Sequence, residues 1–520
     1  MVFKRYFQIV VLMFMIITLV LSGCANTNQK QIGKPDSTNK STVKPDPSDS
    51  SMGTEGVFPE VYAKIPGVLT FRGNNLRNSP SYGTVSMTEN KFKKLWTVNT
   101  PGNGSIWGGG TGWTGQPALV QWDEATKQAM NIYKEFKDKK DFVEVIVGTL
   151  SGKVYFLDLQ TGKETRPPID TKNPIKGSVS IDPRGYPLLY VGQGIDFVGN
   201  VGIHLFNLLN QKEIYYKNIY DTNAPRRWQG NDSSALFNSA DDTLFIPSEN
   251  GLVYKLKLNT NYDPANNKYE IKPVLTFFNT QKVSGMKYKD ILDPVGIESS
   301  ASAYKDMLYF SDNGGLLWCM TTDMKKKWSI KNYDESDVTP TVDVENGVPY
   351  LYMSNSIHYQ GEKGDAHITK FNGETGKEVW TTPFKCYTRM GASPSKGGSL
   401  ATSIVGKNDI KDLVIFSLCR TPDFATGMLV AIDKSTGKVR WNLNMDTYAW
   451  PSPVDVYNSD GKSYIIQADH NGYMLILEGK TGKVLYKEQI DSYIEGSPAV
   501  FGNYLVIGSR SGKIYGFKLS

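Results

Sequence analysis

Short apolar runs alternate with glycine- and asparagine-bearing turns from about residue 116 to the end of the chain, and the runs keep restarting in the same way. Small or hydroxyl residues leading into a strand-like stretch occur eight times. They are Gln116-Pro117-Ala118, Ser178-Val179-Ser180, Ser233-Ser234-Ala235, Ser299-Ser300-Ala301, Thr339-Pro340-Thr341, Ser393-Pro394-Ser395, Ser452-Pro453-Val454 and Ser497-Pro498-Ala499. Their spacing, about 40 to about 65 residues, is in the span of propeller repeats. The pattern predicts an all-β fold, an eight-bladed β-propeller of four-stranded antiparallel blades.

The seventh repeat shows the unit most clearly. After the inner strand at Ser452-Pro453-Val454, residues 463–468 form a second strand, Asn471-Gly472 a tight hairpin, and residues 473–477 a third strand. Glu478-Gly479-Lys480-Thr481-Gly482-Lys483 then turns the chain into an outer strand carrying Tyr486. The same turn recurs at residues 158–163, 372–377 and 433–438, with Trp380 and Trp441 equivalent to Tyr486. An acidic or amide side chain satisfies turn amides, glycine supplies the positive φ, and the aromatic packs on the neighbouring blade. The last repeat reaches only three strands before Ser520, so residues 93–99, bearing Leu95-Trp96, are expected to supply the fourth and close the ring. Two segments interrupt the pattern. Residues 124–140 place Ala129, Ile132, Tyr133 and Phe136 at helical spacing, predicting an amphipathic helix. Residues 259–295 lengthen the link after the third-blade strands, and both insertions are candidate partner surfaces.

The N-terminal end has a different pattern. Lys4 and Arg5 precede an apolar run over residues 7–21 and then Leu21-Ser22-Gly23-Cys24, which resembles a bacterial lipobox with Cys24 as the lipidated residue. Residues 25–56 are nearly devoid of apolar side chains and read as a disordered tether with a stretched reach of roughly 100 Å. The expected organisation is a signal peptide at 1–23, lipidated Cys24 and tether at 24–56, and a propeller at 57–520. That places the body outside the cytoplasm, held to the cell membrane by lipid.

Composition narrows the function classes. The chain has 58 basic and 52 acidic residues, and losing Lys4 and Arg5 with the leader leaves a small, dispersed excess that gives no support for nucleic-acid binding. Cys319, Cys386 and Cys419 remain after the lipidated residue, at spacings unlike a zinc knuckle; they read as buried small side chains, with a Cys386–Cys419 bridge as an option. Gly108-Gly109-Gly110 lacks the following Lys-Ser/Thr of a phosphate loop, and the four histidines form no cluster.

The turn Asp/Asn-x-x-Thr-Gly-Lys-x-x-Trp, with Val154-Tyr155-x-Leu157-Asp158 before it and Phe71-Arg72-Gly73-Asn74 leading in, resembles the repeat of pyrroloquinoline-quinone-type propellers over roughly residues 71–520. WD40 repeats match less well, because Trp122-Asp123 does not recur. The resemblance implies either a quinoprotein dehydrogenase using pyrroloquinoline quinone (PQQ) and calcium, or a non-enzymatic propeller lipoprotein of outer-membrane protein assembly. The dehydrogenases carry two adjacent cysteines, a calcium set and an aspartate base, and this chain shows neither the cysteine pair nor a recognisable set. The expected function is therefore a non-catalytic binding or assembly scaffold for envelope proteins, with no cofactor. Alternatives are a PQQ- and calcium-dependent dehydrogenase and a cell-wall carbohydrate-binding protein stacking sugars on Trp107, Trp113, Trp228 and Trp450. In such a ring the loop before each inner strand lines one mouth of the channel. This makes Trp107, Trp113, Arg226, Arg227, Trp228, Asp232, Glu298, Asp337, Arg389, Trp450 and Glu495 the candidate binding face.

Overall fold

The computed structural model describes residues 56–520 except 103, 105–107, 114, 196, 229, 285–295 and 392–394. The expected signal peptide, Cys24, nearly all of the expected tether and Trp107 lie outside the described residues. Eight small, chiefly antiparallel sheets form the blades of a propeller. Their inner strands are Ala118–Val120, Ser180–Ile181, Leu236–Asn238, Ser302–Tyr304, Thr341–Glu345, Ile404–Val405, Val454–Tyr457 and Ala499–Phe501. Strand Phe92–Asn99 pairs antiparallel with Lys513–Leu519, so the two ends of the ring share blade eight. Closure in this way leaves no open edge between first and last blades.

The recurring hydroxyl of the repeat has a specific task. The backbone N–H that opens one inner strand donates to the hydroxyl that opens the next: Gln116 to Ser178 at 2.8 Å, Ser234 to Ser300 at 2.8 Å, Ser300 to Thr339 at 3.0 Å, Thr402 to Ser452 at 3.0 Å and Ser452 to Ser497 at 3.0 Å. This ring corrects the sixth repeat. Ser395 pairs with Arg389 in a loop bridge, and the equivalent hydroxyl is Thr402, ahead of Ile404–Val405. Residues 393 and 394 lie outside the described residues, and the short strand after Ser395, Gly397–Gly398, pairs with Ser356–Ile357 at the blade's edge, whereas Thr402 leads into the inner strand.

At the ring's periphery, the aromatic of one blade locks onto the turn of the next. The indole N–H of Trp96 donates to the carbonyl of Leu159, Trp328 to Gly373, Trp380 to Lys434 and Trp441 to Gly479, at 2.9 to 3.1 Å. Each ring lies against the turn glycine beside that carbonyl: Gly162, Gly376, Gly437 or Gly482, all with φ near +70°. Trp96 is the residue on the closing strand, so this same lock joins blade eight to blade one. In the seventh blade Tyr486 replaces tryptophan and meets Phe92 edge-on at 5.8 Å.

Three expectations need correction. Residues 124–140 form two short helices, Glu124–Ala129 and Lys134–Lys137, because Met130 and Tyr133 are extended and the Tyr133 N–H donates to Thr165. That break lets Met130, Ile132 and Phe136 all enter the core while Tyr133 stays exposed. Residues 259–295 are more than a link, since they contain the outer strand of blade three, Val274–Asn279, and a hairpin of Asn261–Asp263 with Lys268–Glu270. That hairpin meets the first helix through Thr126 and Tyr262 hydroxyls 2.9 Å apart, so the two insertions cover each other on one flank. No Cys386–Cys419 bridge forms. All three cysteines are free and buried, and burial pushes each thiol up to about 12, which leaves them unreactive.

The first described segment fills the ring axis. Gly67–Val68 pairs with the inner strand of blade one, and Ser81–Tyr82 pairs in parallel with that of blade eight. Between them Arg72 donates to the carbonyls of Pro453 (2.6 Å) and Ser403 (2.9 Å). Arg77 donates to those of Ala301 (2.7 Å), Phe71 (2.7 Å) and Ser234 (3.2 Å). Asn75 and Asn78 bond Ala303 and Val342, and the Thr70 hydroxyl lies 3.0 Å from that of Ser180. Both arginines have no solvent exposure, and the segment contacts all eight blades.

The peripheral lock yields a prediction. A Cβ at Gly482, at φ +70°, would lie 2.5 Å from the Trp441 ring. Gly482→Ala is expected to destabilise the fold by about 2–4 kcal/mol in urea unfolding, combining left-handed strain with overpacking, while the exposed Lys483→Ala changes little.

Candidate functional site

Because strands alternate in direction, the loops before the inner strands and the hairpins between second and third strands emerge on one face. The Asp-x-x-Thr-Gly-Lys turns emerge on the other. Two residues before each ring hydroxyl the chain passes the channel mouth, and this register brings Lys176, Asp232, Glu298, Asp337, Leu400, Trp450 and Glu495 around one opening. A cavity of about 40 Å³ lies there, with Phe71 of the axial segment as a wall and Trp113, Asp232, Glu298, Asp337 and Trp450 among its lining residues.

The other predicted positions that are described fall outside the cavity itself. Glu495 is buried beside it, accepting from the Trp113 N–H at 3.4 Å and from the Tyr493 hydroxyl, with the Arg510 Nε at 3.5 Å. Arg226 is half-buried, its guanidinium 5.7 Å from the Trp228 ring. Arg227 and Trp228 are exposed on the rim, where the Trp228 indole donates to Glu249 at 2.6 Å. Arg389 is exposed and set back from the opening, a consequence of the misplaced sixth repeat; Leu400 occupies the equivalent lining position.

Two ion clusters support the mouth, and sequence reading found only part of each. In the first, the Lys176 ammonium lies 2.5 Å from Asp232 and 3.7 Å from Glu249, and 4.7 Å from the Trp113 ring centre. Burial alone would lower the Lys176 ammonium, but Asp232 and Glu249 hold it above its ordinary value. Burial pushes the Asp232 carboxyl up against the pull of Lys176, and burial with the neighbouring Asp232 charge pushes Glu249 well up. In the second, Lys396 lies 2.5 Å from Glu335 and 3.3 Å from Asp337, and His358 lies 2.8 Å from Glu335. Burial pushes Asp337 up to about 7 despite Lys396. Glu335 is held down to about 2, since Lys396 and His358 together outweigh its burial. Asn313 ties Glu298 to the second cluster, its amide donating to Glu298, Glu335 and Asp337 at 3.0 to 3.2 Å. The register signal that found Asp232 also marks Lys176. Glu249, Asn313, Glu335, His358 and Lys396 come from hairpins and connectors without that signal.

The cavity does not suit a quinone cofactor. Its volume is about that of one or two waters, against roughly 300 Å³ or more for a site that encloses a cofactor. Trp113 and Trp450 meet edge to face at 77° with 5.5 Å between centroids, so they do not form a flat slot for a tricyclic ring. Among the described residues no three His, Cys, Asp or Glu side chains converge as metal ligands.

Lys176 supplies a test of the electrostatics. Lys176→Met leaves two buried carboxylates uncompensated and is expected to cost on the order of 3–5 kcal/mol at pH 8. The two carboxyls take up protons more readily in the folded than in the unfolded state, so their burden falls as pH is lowered. The deficit between variant and parent in urea unfolding should therefore shrink from pH 8 to pH 5.5.

Comparison with known proteins adds to this geometry. Residues 296–520 match the family model described as outer membrane protein assembly factor BamB. The protein of that description from Kangiella koreensis is 29% identical over 90 residues, 17% of this chain and 22% of that protein. The match therefore spans only about a fifth of that relative's length. BamB from Moraxella catarrhalis has a TM-score of 0.51 at 14% identity, covering 82% of this chain and 100% of that one. A europium-containing methanol dehydrogenase reaches 0.57 at 12% identity, covering 87% and 98%. Quinohemoprotein alcohol dehydrogenase from Comamonas testosteroni reaches 0.55 at 12% identity, covering 87% and 80%. At these identities the structural likenesses establish a shared fold and nothing finer.

Proposed function

We propose that this chain, a β-propeller of the pyrroloquinoline-quinone type, is a non-catalytic assembly scaffold that docks an envelope protein on its mouth face. The observation carrying this reading is the filled axis. With residues 69–79 packed into the channel and about 40 Å³ left above Phe71, the mouth presents a surface in place of a reaction chamber. Around it the rim exposes Phe197, Tyr220, Trp228, Tyr333, Tyr359 and Phe424, together with Arg227. Aromatic and arginine side chains of this kind dominate the energetics of protein interfaces. The match of residues 296–520 to an assembly-factor family supports the same class of activity. Lipidated Cys24 and the tether would hold the ring at the extracytoplasmic face of a cell membrane, within reach of such a partner.

The dehydrogenase alternative loses support from the cavity's size, and the carbohydrate alternative from its tryptophans. Trp113 and Trp450 are partly buried against each other, so of the described rings in that group Trp228 alone is exposed enough to offer a face to a sugar.

Photo-crosslinking in the native cell tests the proposal. A benzophenone amino acid at position 227 is expected to label an envelope protein, and the same group at the exposed Lys438, on the opposite face, is not. Arg227→Ala with Trp228→Ala should reduce capture tenfold or more, about 1.4 kcal/mol or beyond. Labelling from position 438 alone, or capture untouched by the double substitution, would overturn the assignment.

A further inference from the structure

A propeller presents the outer strand of every blade as a sheet edge, and charge on such an edge keeps other chains from pairing with it. Seven of the eight blades are guarded in this way. Lys212–Asn218, Lys326–Lys331, Glu378–Tyr387, Val439–Met445, Val484–Gln489 and Phe92–Asn99 each carry lysine, arginine or glutamate, and Ile169–Asp170 is two residues long and preceded by Pro167-Pro168. Blade three is the exception. Its outer strand, Val274-Leu275-Thr276-Phe277-Phe278-Asn279, has no charged residue, and it exposes Val274 (58%), Thr276 and Phe277 (40%).

This strand is also released from the peripheral lock. Thr276 stands opposite Lys255, as Trp380 stands opposite Lys370 and Trp441 opposite Ala431 in blades five and six. The bond to the next blade's turn comes instead from Lys255, whose ammonium donates to the Thr322 carbonyl at 2.8 Å. Ser248 donates to Leu252 and Thr280 to Gly251, so Val253, Lys255 and Lys257 turn their backbone groups toward Phe278, Thr276 and Val274. The N–H and C=O groups of Leu275 and Phe277 therefore point outward, and no described strand pairs with them.

Independently of the mouth, we propose that this edge pairs antiparallel with the same strand of a second copy of the chain. The strand is its own complement about Thr276. A two-fold axis there makes Leu275 and Phe277 the hydrogen-bonded pairs and sets the two Thr276 side chains against each other. Leu275 then meets Phe277 on one face and Val274 meets Phe278 on the other, so every cross-strand pair is apolar or hydroxyl. Any other outer strand would carry charged side chains into the seam. An unrelated partner would need an equally bare edge, whereas an identical copy brings one, and a two-fold contact closes on itself. One strand a side is a small interface, so a Kd on the order of 10 µM is expected.

Sedimentation equilibrium of the full chain in density-matched detergent tests this. Thr276→Lys, at an exposed position, places like charges on the axis and should raise the Kd tenfold or more. The pairing brings the two Cα atoms of residue 276 to about 4.5 Å, within disulfide range, so Thr276→Cys should form a crosslinked dimer on oxidation. Asn442→Cys, on the exposed outer strand of blade six, should not. A monomer at ten times the expected Kd, a dimer indifferent to Thr276→Lys, or equal crosslinking from both cysteines would overturn the proposal. A benzophenone amino acid at position 276 that labels a different protein in the native cell, and no second copy, would assign the edge to that protein's strand and overturn the dimer.

Discussion

Two arginine side chains without solvent contact hold this ring at its axis. The inner strand of every blade turns one edge toward the channel, and its backbone groups need partners there. Arg72 and Arg77 supply donors to the carbonyls of Pro453, Ser403, Ala301, Phe71 and Ser234, tying blades three, four, six and seven to one short segment. Burial lowers both guanidinium groups to about 10, which still leaves them charged at neutral pH. Charge-assisted bonds to carbonyls are what make that burial tolerable. Removing either side chain would orphan several acceptors at once, a larger loss than deleting one peripheral tryptophan lock.

The axial segment also sets what the molecule can do. Phe71 rises with the two arginines to just beneath the mouth, so the channel ends in a shallow acidic cup. Around that cup the eight connectors fan out from rigid strands, a placement that gives recognition loops a fixed geometry. The opposite face carries the Asp-x-x-Thr-Gly-Lys turns, whose side chains are occupied with their own backbone, as Asp433 is with Ser435 and Thr436. On the proposed reading, docking and structural reinforcement are divided between the two faces.

Much of this architecture was legible in the sequence because its joints repeat. The hydroxyl at the start of an inner strand and the aromatic opposite a turn glycine each serve one contact between neighbouring blades, so each recurs at blade spacing. Reading failed where a repeat was imitated or broken. Ser393-Pro394-Ser395 carries the residue types of the joint without the strand that follows Thr402, and Arg389 was misplaced with it. The helical spacing over residues 124–140 marked the correct buried face at Ile132 and Phe136 but not the extended break between them. The mouth clusters were half legible: Asp232, Glu298 and Asp337 share a register, whereas Glu249, His358 and Lys396 reach the same place from other loops. Arg72 and Arg77 have no repeat to announce them, because a ring has one axis.

Hydrogen exchange of the full chain, alone and bound to its captured envelope partner, tests the central claim most directly. The account predicts added protection in the mouth connectors at residues 219–235, 332–340 and 446–453, with the turns at 433–438 and 478–483 unchanged. Protection confined to those turns would contradict it and move the binding face to the other side of the ring.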